Sequence, residues 1–513
     1  MSWQKEIDEL NKRKKLAQEL GGKEKVERQH KANRNTIRER INLFFDKDSF
    51  QEFGMLSGQS SYKETGELEN FLPANSIIGH GLVNQQSIAF YGDDFTVRGG
   101  AADASIWEKM VAAEKLANEY EIPLVRFIEG TGGGGSVKSL EKQGSTYVPF
   151  NPGWDKVIEN LSKIPVISLA LGPVAGLGAA RLVSSHYSIM VRKLSQIFVA
   201  GPPLVEKLGE KVTKEELGGS EVHGSNGVID DVAENEAEAM EMAKTFLSFM
   251  PSSIHYLPKK EITKDDPLRK DDFLLSIIPK NKRESYDMLP IIESVVDKYS
   301  FFELGKKYGL SVITGLARLD GFPIIVLANN PQVYGGGWTT DSCRKVIKIM
   351  DLAQVFHFPV LNFIDNPGFI IGKNAEKDGT IKYGAKALAA IYQFKNPMCS
   401  IILRKVFGVA GAAHTNHMNF KFRFAWPSAD TGSLPFEGGI EAAYKSEISQ
   451  SKDPEKFIKD KYVKLNSLTS PFRTAEKFLL ENVIDPRDTR KEACIWIKLA
   501  YNRLKTGSSS FGY

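Results

Sequence analysis

Cysteine is scarce: three residues in 513 (Cys343, Cys399 and Cys494), with no short spacing between them. Neither a disulfide scaffold nor a zinc ribbon can be built from such a set, and a reducing compartment is expected, the cytoplasm first and the mitochondrial matrix second. Long apolar runs are also missing. The longest, around residues 164–170 and 322–328, are strand length, far below the ~20 residues that span a bilayer. Charge of one sign is lacking too: 67 Lys and Arg against 63 Asp and Glu leave +4, too little to imply nucleic acid. The first residues carry acids and no apolar core, so a charged helix is expected there rather than a leader peptide. What is present is ordinary globular composition, 42% hydrophobic and 25% charged, in a chain long enough for two or more domains or a large repeat.

Residues 1–40 hold twelve Lys and Arg against seven Asp and Glu. They read as a solvated helical arm, the alternative being that some of these cations meet the phosphates of a ligand. The dominant feature is an internal repeat, and it sets the architecture. In the first half a strand pair opens at residues 77–81, Gly99-Gly100 follows, residues 107–120 read as an amphipathic helix and 122–129 as a strand. The second half repeats this at 312–316, Gly335 to Gly337, 341–356 and 358–365, with a constant offset of 236 that aligns Gly100 with Gly336 and Pro123 with Pro359. A later block pairs Pro165 with Pro397 at an offset of 232. Residues 251–284, rich in Lys, Asp and Pro without a helical period, mark the junction. The domains are taken as 1–265 and 266–513, each an α/β unit with a buried sheet.

Where the second apolar strand of each copy ends, a small-residue turn leads into a predicted helix. The first runs Gly172-Pro173-Val174-Ala175-Gly176-Leu177-Gly178, the second Gly408-Val409-Ala410-Gly411-Ala412-Ala413. Small residues there admit a ligand to the backbone, and the N–H groups at a helix start face developing negative charge, as in an oxyanion hole. Tight helix–strand packing is the competing explanation. The run Gly130-Thr131-Gly132-Gly133-Gly134-Gly135 satisfies G-x-G-x-x-G, yet no helix start follows it and Ser136-Val137-Lys138 is not a P-loop ending. A loop framing a ligand, with Gly132 and Gly133 against it, is the better reading. His414-x-x-His417 lacks a third ligand nearby, so capping or solvation is expected and no metal. Cys343 has no base partner and is expected to be packed. Glu129 and Asp365 end equivalent strands, where loop ordering is expected ahead of acid–base work. Paired oxyanion holes without a strong nucleophile point to enolate chemistry.

With these residues in view, the chain resembles the carboxyltransferase (beta) subunits of biotin-dependent acyl-CoA carboxylases and decarboxylases. The resemblance runs through Arg38-Glu39-Arg40-Ile41, Gly172-Pro173, Ala200-Gly201-Pro202-Pro203, Glu216-Leu217-Gly218-Gly219, Asn366-Pro367-Gly368-Phe369, Gly384-Ala385-Lys386, Arg404-Lys405, Ala425-Trp426-Pro427 and the closing Asp485-Pro486-Arg487-Asp488. It implies two crotonase-like domains per chain, an N-terminal one for acyl-CoA and a C-terminal one for biotin. It also implies a homohexamer, a trimer of dimers, with each active site shared between one protomer and its dimer partner. Carried over by register, the acyl-CoA hole falls on Gly176, Leu177 and Gly178, beside Gly172 and Ala175. The biotin hole falls on Val409 and Ala410, flanked by Gly408, Gly411, Ala412, Gly368 and Phe369. Propionyl- and acetyl-type relatives carry Tyr-Asp after the second turn, where this chain has Gly411-Ala412.

The implied reaction transfers CO2 from carboxybiotin to the α-carbon of an acyl-CoA, or to the vinylogous γ-carbon of an unsaturated one. The reverse, decarboxylase, direction uses the same site. A biotin-independent hydratase or isomerase and a non-catalytic scaffold are the readings from other classes. No Met-Lys-Met, the usual setting of a biotinyl lysine, occurs in the chain. Carboxybiotin is therefore expected to arrive on a partner, a biotin carboxyl carrier joined to biotin carboxylase.

Overall fold

The computed structural model describes residues 2–101, 104–130, 140–141, 144–146, 148–415, 419–433 and 436–507. The chain divides into two units, Met1–Tyr256 and Leu257–Tyr513.

In the first unit, helices α1 (Gln4–Gln18), α2 (Lys23–Lys31) and α3 (Ile37–Phe44) precede the main sheet. Helix α3 begins at Thr36 because a capping box forms there: Thr36 Oγ1 accepts from Glu39 N while Glu39 accepts from Thr36 N. The strands are β1 (Gln51–Phe53), β2 (Gly58–Tyr62), β3 (Leu68–Pro73), β4 (Ser76–Val83), β5 (Gln86–Asp93), β6 (Leu124–Gly130), β7 (Val166–Ala175), β8 (Tyr187–Val191), β9 (Gln196–Phe198) and β10 (Asp231–Ala233). The main sheet runs β1-β4-β5-β6-β7-β8-β10, with β9 pairing the end of β7, while β2 and β3 form a separate ribbon. β1, β4 and β5 are antiparallel and the rest parallel. Parallel strands are joined by crossover helices, so their two faces are covered. Accordingly every residue of β6 is buried. Helices α4 (Trp107–Tyr120), α5 (Trp154–Leu161), α6 (Leu177–Val183) and α7 (Glu236–Phe249) supply the crossovers and cover.

The second unit repeats the plan. Helix α8 (Leu289–Val295) leads into β11 (Phe302–Leu304), β12 (Val312–Leu319), β13 (Phe322–Asn329), α9 (Thr340–Val355), β14 (Val360–Asn366), α10 (Thr380–Gln393) and β15 (Met398–Phe407). Then come α11 (Gly408–Ala413), β16 (Phe422–Ala425), β17 (Asp430–Gly432), β18 (Asn482–Val483) and α12 (Thr489–Arg503). The sheet order is β11-β12-β13-β14-β15-β16-β18, with β17 on β15. Its core gathers Trp426, Trp496, Cys399 and Cys494 with the aliphatic faces of α8, β12 and β13.

The repeat is written into the backbone. Ala89 N donates to Pro123 O and, 236 residues on, Ile325 N donates to Pro359 O. Gly99 and Gly335 share the left-handed conformation, φ 61° and 60°. The junction falls earlier than expected from sequence: residues 257–265, assigned above to the first domain, pack with the second, where Glu261 N donates to Gly321 O at 3.0 Å and Lys260 pairs with Asp320. Lys, Asp and Pro without a helical period marked this stretch as a connector, but composition does not reveal which unit holds it. No helix among the described residues is long and apolar enough to cross a membrane.

Candidate functional site

One irregularity builds both turns. β6 and β7 pair regularly to Ile128↔Ala170, then jump to Gly130↔Val174. β14 and β15 do the same, from Ile364↔Ile402 to Asn366↔Val406. The extra residues swing the end of each long strand onto a new neighbour. β7 there pairs with β9 (Pro173↔Gln196 to Ala175↔Phe198), and β15 with β17 (Lys405↔Asp430 to Phe407↔Gly432). A strand bent by such a shift re-aims the residues that follow it.

In the first turn Gly176 has φ 60°, ψ −127°, a conformation open to glycine and closed to side chains. Its N–H donates to Phe198 O at 3.3 Å and its carbonyl accepts from Ala180 N. Helix α6 begins at once, and the amides of Leu177 and Gly178 find no acceptor among the described residues. Gly176 is exposed, Leu177 half-buried and Gly178 buried, with Ala175 half-buried at the strand end. In the second turn Gly408 has φ 62°. The amides of Val409 and Ala410 likewise lack an acceptor among the described residues. Val409 and Ala412 are exposed while Ala410 and Gly411 are buried. Each turn therefore carries two main-chain N–H groups without an acceptor among the described residues, with Gly178 buried in the first and Ala410 and Gly411 buried in the second.

The strand-end carboxylates are committed elsewhere. Glu129 is buried between Arg34 at 2.6 Å, Arg40 at 2.5 Å and Gln29. Asp365 accepts from Arg404 Nε, Tyr286 Oη and Lys405 N, each at 3.0 Å. The two solutions share one position: Gly172 and Arg404 correspond at the offset of 232. At Gly172 an added Cβ would lie 2.4 Å from Glu129 Oε1, so the glycine makes room for the long carboxylate. At Arg404 the side chain itself neutralises the shorter aspartate. Gly172 is thus a buried packing position. Arg34 and Arg40 turn inward to Glu129, and Arg38 to Glu52, so these cations of the arm are taken up within the unit.

Burial pushes the Cys343 thiol up to about 12, consistent with a packed residue. His414 is buried and held down to about 3 by burial, with both ring nitrogens facing asparagine amides. Phe369 packs on Gly384, where an added Cβ would meet the ring at 2.5 Å, and Gly368 N donates to Asn366 Oδ1. Gly132, Gly133 and His417 lie outside the described residues. The partners of Glu129 and Asp365 escaped the sequence reading because they sit 79 to 100 residues away or inside the repeat itself; the paired strand ends were the one available signal.

The carboxyl transferase domain family matches residues 28–510. The propionyl-CoA carboxylase beta chain of Cereibacter sphaeroides is 31% identical over 490 residues, 94% of each chain. The alpha subunit of methylmalonyl-CoA decarboxylase from Veillonella parvula is 30% identical over 495 residues, 95% of this chain and 94% of that one. Among solved structures, the transcarboxylase 12S hexamer with methylmalonyl-coenzyme A bound superposes with a TM-score of 0.88 at 26% identity, covering 100% and 99% of the two chains.

Proposed function

The chain belongs to the carboxyl transferase domain family, and from that membership we propose how its two turns divide the work. It is an enzyme, the carboxyltransferase of a biotin-dependent acyl-CoA carboxylase. The observation that carries the division is the pair of matched turns, each offering two backbone donors without an acceptor among the described residues.

Leu177 N and Gly178 N receive the thioester oxygen of an acyl-CoA. As the substrate carbon loses its proton that oxygen gains charge, and fixed donors stabilise it without reorganising. Val409 N and Ala410 N receive the ureido oxygen of biotin, a neutral acceptor of the same geometry. When bound, carboxybiotin supplies the CO2 and the base for the substrate proton. The chain's own contribution is position and electrostatics. Glu129 and Asp365, held in their ion pairs, fix the strand ends from which the turns depart. Gly132 and Gly133 are proposed to close on acyl-CoA, with Gly408, Gly411, Ala412, Gly368 and Phe369 around biotin. A separate biotin carrier and a homohexameric assembly complete the proposal, supported by the 12S hexamer as structural neighbour.

The test is a pair of substitutions at one amide. Leu177→Ala keeps the N–H and is expected to leave carboxyl transfer within about threefold of the parent. Leu177→Pro deletes it and is expected to cost about 10²–10³ in turnover. Equal transfer rates for the parent and a folded Leu177→Pro enzyme would remove this turn from the reaction. Run with carboxyacyl-CoA and uncharged carrier, the same assay measures the decarboxylating direction known for the Veillonella relative.

A further inference from the structure

His414 follows the last residue of α11 as its C-cap and is 1% exposed. Its Nε2 lies 2.9 Å from Asn366 Nδ2, its Nδ1 3.1 Å from the Asn362 side-chain amide, and its ring 4.8 Å from that of Trp338. The orientation of Asn366 is set, because Oδ1 accepts from Gly368 N at 2.9 Å. Asn366 Nδ2 therefore donates, and Nε2 is the lone pair that receives it. A neutral imidazole has a single lone pair, so the proton sits on Nδ1. As placed, Asn362 Nδ2 faces Nδ1 and also donates to His414 O at 3.3 Å; turning the Asn362 amide over brings Oδ1, buried and without a partner among the described residues, to accept from Nδ1–H.

The tie reaches two pieces of the second site. On one side, His414 O accepts from Ser400 Oγ at 2.8 Å, so α11 is fastened to β15 at its far end. On the other, Asn366 opens the segment bearing Gly368 and Phe369, which is clamped to Trp338: Trp338 N donates to Gly368 O and Ile370 N to Trp338 O. The first half builds its fastening from different residues. Its matching residues are Leu182, Gly130 and Arg126. There Arg126 donates to the carbonyls of Arg181 and Ser184 and pairs with Glu114, an ionic tie that secures α6. The duplicated fold has kept the fastening of the turn helix in both copies, and in the second an imidazole makes it and also reaches a neighbouring loop.

We infer that His414 is a positioning residue of the second turn, its neutral imidazole setting the Val409 and Ala410 amides in register with the Gly368–Phe369 segment. The inference rests on the proposed assignment of that turn to biotin, and it makes His414 a determinant of carrier engagement rather than of acyl-CoA binding.

Steady-state kinetics of the full chain with a carboxylated biotin carrier and an acyl-CoA test it through four variants. His414→Leu removes the acceptor for Asn366, and Asn366→Ala removes the other end of the tie. Each is expected to raise KM for the carrier about tenfold, with KM for acyl-CoA changed less than about twofold. His414→Gln, whose amide oxygen can face Asn366 Nδ2, is expected to recover most of the loss. Ala410→Pro is the reference for the turn itself. Should His414→Leu fail to fold, Asn366→Ala carries the same readout. An unchanged carrier KM in folded His414→Leu or Asn366→Ala, with Ala410→Pro inactive, overturns the inference and leaves the function standing. Full transfer by folded Ala410→Pro overturns the assignment of the turn to biotin.

Discussion

Asp93 and Asn329 occupy the same place in the two halves and do the same job. Asp93 Oδ2 accepts Glu129 N at 2.9 Å, and Asn329 Oδ1 accepts Asp365 N at 3.2 Å. Only one of them has a charge to bury, and burial pushes Asp93 up to about 6, against the hydrogen bonds from Tyr91 and Glu129 N. A carboxyl whose pKa is raised on folding holds its proton more tightly folded than unfolded. It therefore favours the folded state below about pH 4 and loses that contribution as pH rises to about 6. The second half shows that an amide suffices. Asp93→Asn is thus expected to stabilise the protein by about 3 kcal/mol at pH 8 and by little at pH 4. Urea midpoints at the two pH values check this; equal shifts at both would place the charge of Asp93 outside the balance.

At the scale of elements, Arg40 on α3 is what locks the N-terminal helices to the sheet. Its guanidinium meets Glu129 at the end of β6, Glu236 at the start of α7, and the carbonyl of Leu171 in β7. Removing Arg40 leaves Glu236 a buried charge without its ion pair and Glu129 with Arg34 alone, which costs about 3–5 kcal/mol. Arg40→Ala is therefore expected to lower the thermal midpoint by several degrees. Arg40→Ala combined with Glu236→Gln, which removes the charge left without an ion pair, is expected to recover part of it. Calorimetry on the two variants decides; an unaltered midpoint for Arg40→Ala would show that α3 docks through its apolar face alone. Helices and strands were themselves readable from periodicity. Asp341 to Phe356 was expected as helix and α9 spans Thr340–Val355, since its apolar residues repeat at helical spacing and Thr339 caps it. The docking of α3 was not readable, because a charge cluster of one arm looks like a solvated face until the carboxylates that neutralise it are folded against it.

For the whole molecule, the proposed function makes a definite demand on partners. Both halves are occupied by the two turns and their sheets, and the sequence carries no Met-Lys-Met. With acyl-CoA, ATP, Mg²⁺ and labelled bicarbonate, the purified chain is expected to incorporate label only when a biotinylated carrier with its carboxylase is added; incorporation by the chain alone would refute the assignment. By itself the sequence determined the α/β class, the duplication and the location of both turns, because periodicity, a constant offset and runs of small residues are local or self-comparing signals that need no coordinates. Tertiary structure alone decided why the turns stand where they do. The register jump from Ile128↔Ala170 to Gly130↔Val174 and its copy in the second half are pairings between strands some 40 residues apart. So too are the neutralisation of Glu129 by an arm 89 to 100 residues away, the Arg404 that replaces Gly172, and the imidazole bridge of His414. Each depends on distant groups sharing one desolvated space, where an unpaired charge or donor is too costly to leave, and that requirement has no signature along the chain.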